Sequence, residues 1–243
     1  MPTIAHRVAR RLTRSLRTRG MLGSLAHVLN VLLDRIRGRG VTAHAADVDE
    51  DFDHRYGVDT GGVIPQADLD VDTPNWVHGS AYVATSPIDF GRVLAPFALD
   101  LPKTSFIDLG CGKGRVLLMA SALPFARVVG VEYSETLAAI ARSNLERYRG
   151  PRSAAATDVV IGDASAYSYP EGDLVVFMYH PFNEVIMQRV IEALEEALRE
   201  APRKLLVLYF KPVHGDLWQA VDFVELQHAS GFYNAYSGRA QSG

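Results

Sequence analysis

From residue 86 onward the chain alternates short β-rich runs with longer helical stretches, and this alternation limits the possible folds more than any other feature of its 243 residues. Runs dense in β-branched and aromatic residues occupy 105–109, 127–132, 159–161, 174–179 and 205–210. Between them lie 115–123, 135–148 and 184–200, which have helical character. Strands separated by helices pair in parallel through right-handed crossovers, which gives a doubly wound sheet with its ligand at the carboxyl ends of the strands. The tail differs. Runs at 221–226 and 232–236 are joined by a short connection containing Ser230 and Gly231, which requires antiparallel pairing. The expected fold is therefore α/β: a doubly wound, mostly parallel seven-stranded sheet with an antiparallel C-terminal hairpin, plus an N-terminal helical arm.

The charge distribution divides what precedes the sheet. Residues 1–40 hold nine arginines against Asp34, a net of +8, and residues 41–72 hold nine acidic residues against Arg55, a net of −8. Leu22, Leu25, Leu29, Leu32, Leu33 and Ile36 follow one helical face, as do Val8, Leu12 and Leu16 before Gly20 and Gly23 interrupt. The longest uncharged stretch, 20–33, is 14 residues and too short to span a bilayer. Such a basic amphipathic arm suits packing on its own domain, a homodimer contact, or peripheral contact with an anionic membrane; no nucleic acid is expected. The expected organisation is a basic amphipathic arm over 1–40, an acidic loop-rich connector over 41–80, and a ligand-binding domain over 81–243. Within the connector, Phe52, Tyr56 and the run from Gly57 to Gly62 carry more specific chemistry than a plain linker needs. With 48% hydrophobic and 22% charged residues the chain is not disordered or collagenous. A single cysteine, Cys111, forms no internal disulfide, and no secretory signal pattern opens the sequence, so the expected compartment is the cytoplasm.

The sharpest motif is Phe106-Ile107-Asp108-Leu109-Gly110-Cys111-Gly112-Lys113-Gly114-Arg115. It reads as a strand that ends in a glycine-rich turn and opens a helix, where free backbone N–H groups and a close ligand approach are both available. Glu132 follows 22 residues after Gly110, at the end of the next strand, where a carboxylate accepts both hydroxyls of a ribose. Asp108 repels phosphate and favours a cation. The expected ligand is a positively charged nucleoside without phosphate, and the glycine spacing does not suit a nicotinamide dinucleotide.

On these residues the sequence resembles the class I S-adenosylmethionine-dependent methyltransferases over about 82–236, best in FIDLGCGKGRVLL, VVGVEYS and VVIGDASAY. The resemblance implies S-adenosyl-L-methionine as cofactor. It implies that Gly110, Cys111, Gly112 and Gly114 pack against the amino-acid part, with Asp108 acting on the ammonium. Glu132, with Tyr133 beside it, should hold the ribose, and Asp163 with Ala164 should meet the adenine amino group. Tyr82 and Thr85 lie in a segment that resembles the one closing over the methionine end; Thr85 and Ser86 also suit a helix N-cap ahead of Pro87.

The fourth strand ends in Tyr179-His180-Pro181-Phe182-Asn183, which departs from the Asn/Asp-Pro-Pro-aromatic sequence of many amino-group methyltransferases. His180 is the candidate base for a hydroxyl acceptor, or alternatively a strand-end hydrogen bonder; Tyr179 is a candidate wall of the site. The expected activity is methyl transfer to a hydroxyl of a small molecule, sugar or lipid. Protein lysine N-methylation and cofactor binding without catalysis remain as alternatives. No C-x-x-C or H-E-x-x-H pattern occurs, and no metal is expected.

Overall fold

The computed structural model describes residues 52–64 and 82–239. The amphipathic arm expected over 1–40, and most of the expected connector, lie outside the described residues. After the helical residues 52–56, nine strands and five further α-helices follow one another among the described residues. They are β1 (Val63–Ile64), β2 (Tyr82–Val83), α1 (Pro87–Leu94), β3 (Thr104–Leu109), α2 (Arg115–Ser121), β4 (Arg127–Glu132), α3 (Glu135–Arg147) and β5 (Thr157–Ile161), then β6 (Asp173–Tyr179), α4 (Glu184–Glu200), β7 (Leu205–Phe210), α5 (Gly215–Gln219), β8 (Val224–Ala229) and β9 (Tyr233–Gly238).

Seven strands form one sheet in the order β5-β4-β3-β6-β7-β9-β8. All pairs up to β7 are parallel, and β9 pairs antiparallel with both β7 and β8. The parallel strands are covered on both faces, so they read as nearly continuous apolar runs. On one face Phe106, Val128, Val175, Phe177 and Leu208 pack with Leu117, Leu118 and Phe90; on the other Ile107, Val129, Val176 and Met178 pack with Met187, Val190 and Leu194 of α4. α3 and α4 start on designed caps: Ser134 accepts from the Leu137 N–H and Asn183 from the Ile186 N–H, each followed by a glutamate in the first turn.

The chain steps outward from β3 to β4 to β5, then returns to the other side of β3 with β6. This reversal opens a crevice at the carboxyl ends of β3 and β6. Gly110 and Pro181 meet across it, so closely that a Cβ on Gly110 would lie 2.6 Å from the Pro181 Cβ. The C-terminal hairpin starts three residues later than expected, because Trp218 and Phe223 pack against the sheet ahead of it. No helix among the described residues is long and apolar enough to cross a membrane.

Candidate active site

β3 delivers Asp108 to the crevice with 3% of its surface exposed. The turn that follows takes positive φ at Gly110, Gly112 and Gly114, the last serving as N-cap of α2. It is pinned to the next strand, since the N–H groups of Gly110 and Cys111 both donate to the Val131 carbonyl. The Cys111 thiol turns into the core, in the space a side chain on Gly130 would fill. Glu132 ties the turn from the far side: its Oε2 accepts from the Gly112 N–H at 2.8 Å, and its Oε1 from the Ser134 N–H at 2.9 Å.

The two acids differ in what satisfies them. Burial raises Glu132 above the usual carboxylate range, but the backbone donors of Ser134, Gly112 and Tyr133 oppose the shift. Asp108 has no hydrogen-bond donor among the described residues; burial, reinforced by the Glu132 charge, holds it well above its ordinary value. A buried carboxylate without a donor suits a cation, and Glu132, with two lone pairs per oxygen, keeps acceptor capacity for hydroxyls. The residues present therefore fit a ligand with an ammonium and a ribose.

At the end of β5, Gly162 donates to the Glu132 carbonyl, which sets the two strand ends side by side. Asp163 caps the short turn Ala164–Ala166, accepting through Oδ1 from the Ser165 N–H and hydroxyl. Tyr133 is close enough for the Asp163 charge to add to the raising of its hydroxyl by burial. Ala164 is buried beside them. On the opposite side of the turn the Tyr82 ring lies over Gly112, where a Cβ would run into it. Its hydroxyl donates to the Thr60 carbonyl at 2.5 Å. Thr85 is buried ahead of α1, and Ser86 occupies the N-cap without a side-chain bond.

The end of β6 supplies the rest. Tyr179 is half-buried and stacks on Phe210, with ring centres 5.9 Å apart. His180 takes φ +38 and its neighbour across the edge, Lys211, φ +49, the two non-glycine residues of the described chain in that region. The His180 N–H donates to the Phe210 carbonyl, and its Nδ1 lies 3.3 Å from the Tyr209 hydroxyl. Burial, then the charges of Lys211 and His214, lower its pKa from 6.5 to about 4. At neutral pH the imidazole is uncharged.

Residues 106–201, from β3 through α4, match the family described as methyltransferase domain. This stretch is a methyltransferase domain, of the S-adenosylmethionine-dependent kind. Similar solved structures include magnesium protoporphyrin IX methyltransferase from Synechocystis PCC 6803 with bound S-adenosylmethionine, at 16% identity over 63% of this chain and 79% of that one, with a TM-score of 0.45. An RNA methyltransferase from Salinibacter ruber in complex with S-adenosyl-L-homocysteine gives 21%, 64%, 92% and 0.46 in the same order. A methyltransferase from Aquifex aeolicus gives 15%, 62%, 88% and 0.46. A comparison with curated proteins gives no match.

The methyltransferase holds its glycine turn with a strap drawn from the acidic segment. Asp53 accepts from the N–H groups of Thr60 and Gly61, both at 2.7 Å, from the Thr60 hydroxyl, and from Arg115 Nη2 at 3.2 Å. Arg115, 1% exposed, also donates to Thr60 Oγ1 and lies 4.9 Å from the centre of the Phe52 ring. Lys113 pairs with Asp59 at 2.9 Å, and Asn144 of α3 bonds both backbone groups of Asp59 and the Lys113 carbonyl. Phe52 and Val58 join the core. Residues 52–64, assigned to the connector by sequence, thus pack into the domain that the sequence starts at residue 81. The available signal was the match in sign and number between Asp53 and Asp59 upstream and Lys113 and Arg115 in the motif.

Proposed function

We propose that the enzyme transfers the methyl group of S-adenosylmethionine to an oxygen of a small molecule, sugar or lipid held at the carboxyl edge of β6 and β7. The observation that carries the cofactor side is the pair of buried acids at one glycine turn, one with backbone donors and one without. In this reading Asp108 neutralises the ammonium, Glu132 accepts from the ribose hydroxyls, and Asp163 with Ala164 meets the adenine edge. Tyr133 and Tyr82 flank the ligand beside the turn, whose glycines Gly110, Gly112 and Gly114 leave room for Pro181, the Tyr82 ring and Ala141. When bound, the cofactor supplies a methyl group activated by its sulfonium. Tyr179, His180 and Lys211 then orient the acceptor for in-line attack, a positioning effect that provides much of the rate in such displacements.

An oxygen acceptor is supported by the sequence Tyr179-His180-Pro181-Phe182, which lacks the amide that aligns a planar nitrogen, and by the hydrogen-bonding edge of His180, Lys211 and His214. The net charge of +8 in residues 1–40 supports an acceptor borne on, or near, an anionic lipid surface. The single, buried cysteine agrees with work in the cytoplasm. Calorimetry tests the cofactor assignment: S-adenosylmethionine and S-adenosylhomocysteine should bind in the micromolar range, roughly −8 kcal/mol, and nicotinamide dinucleotides should not. Glu132→Ala should weaken binding by roughly 1.5–3 kcal/mol through lost charge-assisted bonds. Tight nicotinamide binding without S-adenosylhomocysteine binding overturns the reading.

A further inference from the structure

Three hydrogen-bonding groups meet where β6 and β7 end: His180 Nδ1, the Tyr209 hydroxyl and the His214 N–H. The Tyr209 side chain is fully buried. Its hydroxyl oxygen accepts from the His214 N–H at 3.3 Å, and the same oxygen lies 3.3 Å from His180 Nδ1. A tyrosine hydroxyl has one proton to donate. Among the described residues the sole acceptor within reach of that proton is His180 Nδ1. Were Nδ1 to carry a hydrogen instead, two donors would face the tyrosine oxygen while its own proton, buried, had no acceptor, an unfavourable arrangement. The strand ends hold this arrangement in place at the cost of backbone strain, since His180 and Lys211 both take the left-handed conformation that glycine favours.

We infer that Tyr209 locks His180 in the tautomer whose Nε2 carries the proton, so that His180 meets the acceptor as a hydrogen-bond donor and the enzyme methylates an oxygen that arrives already deprotonated, namely a carboxylate. The inference rests on the proposed reading and narrows its acceptor class. Nε2 has no partner among the described residues, and the groups that face the imidazole are donors or cations: Tyr209, His214 and Lys211. The pKa of about 4 agrees, because burial first, and then the neighbouring Lys211 and His214, disfavour a second proton on the ring. A donor edge of this kind orients a carboxylate and leaves a neutral alcohol with its proton. The step balances without a base. A lone pair of the carboxylate oxygen forms the new O–CH3 bond, the C–S bond breaks with its electron pair going to sulfur, and sulfonium and carboxylate become a neutral thioether and a neutral ester. Tyr209 is then a positioning residue, acting through His180.

The test uses the full chain labelled with 15N-histidine and saturated with S-adenosylhomocysteine, whose binding is followed separately by calorimetry. Long-range 1H–15N spectra at pH 7, with the His180 signals assigned from their absence in His180→Gln, should show a neutral ring with the proton on Nε2. Tyr209→Phe, which keeps the ring and removes only the hydroxyl, should abolish the preference for that tautomer. Added benzoate should shift the Nε2–H signal, and benzyl alcohol at the same concentration should not. A proton on Nδ1, or a doubly protonated ring at pH 7, overturns the tautomer lock. A response to benzyl alcohol, or none to benzoate, overturns the carboxylate assignment. Either failure with S-adenosylhomocysteine bound leaves the methyltransferase reading intact, whereas loss of that binding in calorimetry counts against the cofactor site itself.

Discussion

Asp108 shows how a binding group is bought with stability. Its folded pKa lies above the ordinary 3.8, so above that value the native protein holds a proton that the unfolded chain has released. Stability from this group is therefore present at low pH and lost as the pH rises through the folded value. Asp108→Asn should remove the loss: urea unfolding of the ligand-free variant should show higher stability than the parent at pH 8 and a smaller gain at pH 5. The same variant should weaken S-adenosylhomocysteine binding by roughly 2–5 kcal/mol, the usual result of truncating one partner of a buried charge pair. His180 has the opposite sign. With its pKa lowered to about 4, it binds fewer protons folded than unfolded between about 4 and 6.5, and it costs stability as the pH falls through that window. With His180 neutral above about 5, turnover should show no break from its titration between pH 8 and 5, and a fall beginning near 7 would belong to another group.

The strap and the glycine turn act as one element although they come from distant parts of the chain. Arg115 is buried between Asp53, Thr60 and the Phe52 ring, and removing one charge of a buried pair costs about 3–5 kcal/mol because the other is left uncompensated. Asp53→Ala should reach that range in chemical denaturation, and should also orphan the N–H groups of Thr60 and Gly61. Adding Arg115→Met to it should recover part of the loss; an additive double variant would show that the two residues are not coupled. Gly112→Ala addresses the turn itself. A side chain at φ +56 costs about 1–2 kcal/mol, and the new methyl must also displace the Tyr82 ring. Its thermal midpoint should fall by several degrees, and Tyr82→Ala in the same chain should restore only the steric share.

At the scale of the whole molecule, the parallel sheet was legible because its strands are covered on both faces and their sequences are apolar without interruption. The runs at 127–132, 205–210 and 184–200 coincide with β4, β7 and α4. Placement was legible for acids at strand ends: Asp108 and Glu132 lie at the ends of β3 and β4, and Asp163 lies just past β5. It was not legible where long-range hydrogen bonding decides: nothing near His180 in the sequence indicates that Tyr209, 29 residues on, meets its Nδ1. The strap was hidden for the same reason. Residues 52–64 pack with the sheet and its helices, so a chain beginning at Val48 should stay folded and bind S-adenosylhomocysteine with unchanged affinity. If residues 1–40 serve a lipid surface, only the full chain should sediment with anionic liposomes, and added salt should release it. The strap also sets an order of assembly during synthesis. Asp59 leaves the ribosome 85 residues before Asn144, its partner on α3, an interval of roughly 4–17 s at ordinary elongation rates. Asp53 is likewise in the open 62 residues ahead of Arg115. The acid thus waits in water, where ionisation costs nothing, and the arginine finds its counter-charge present as the helix that buries it closes.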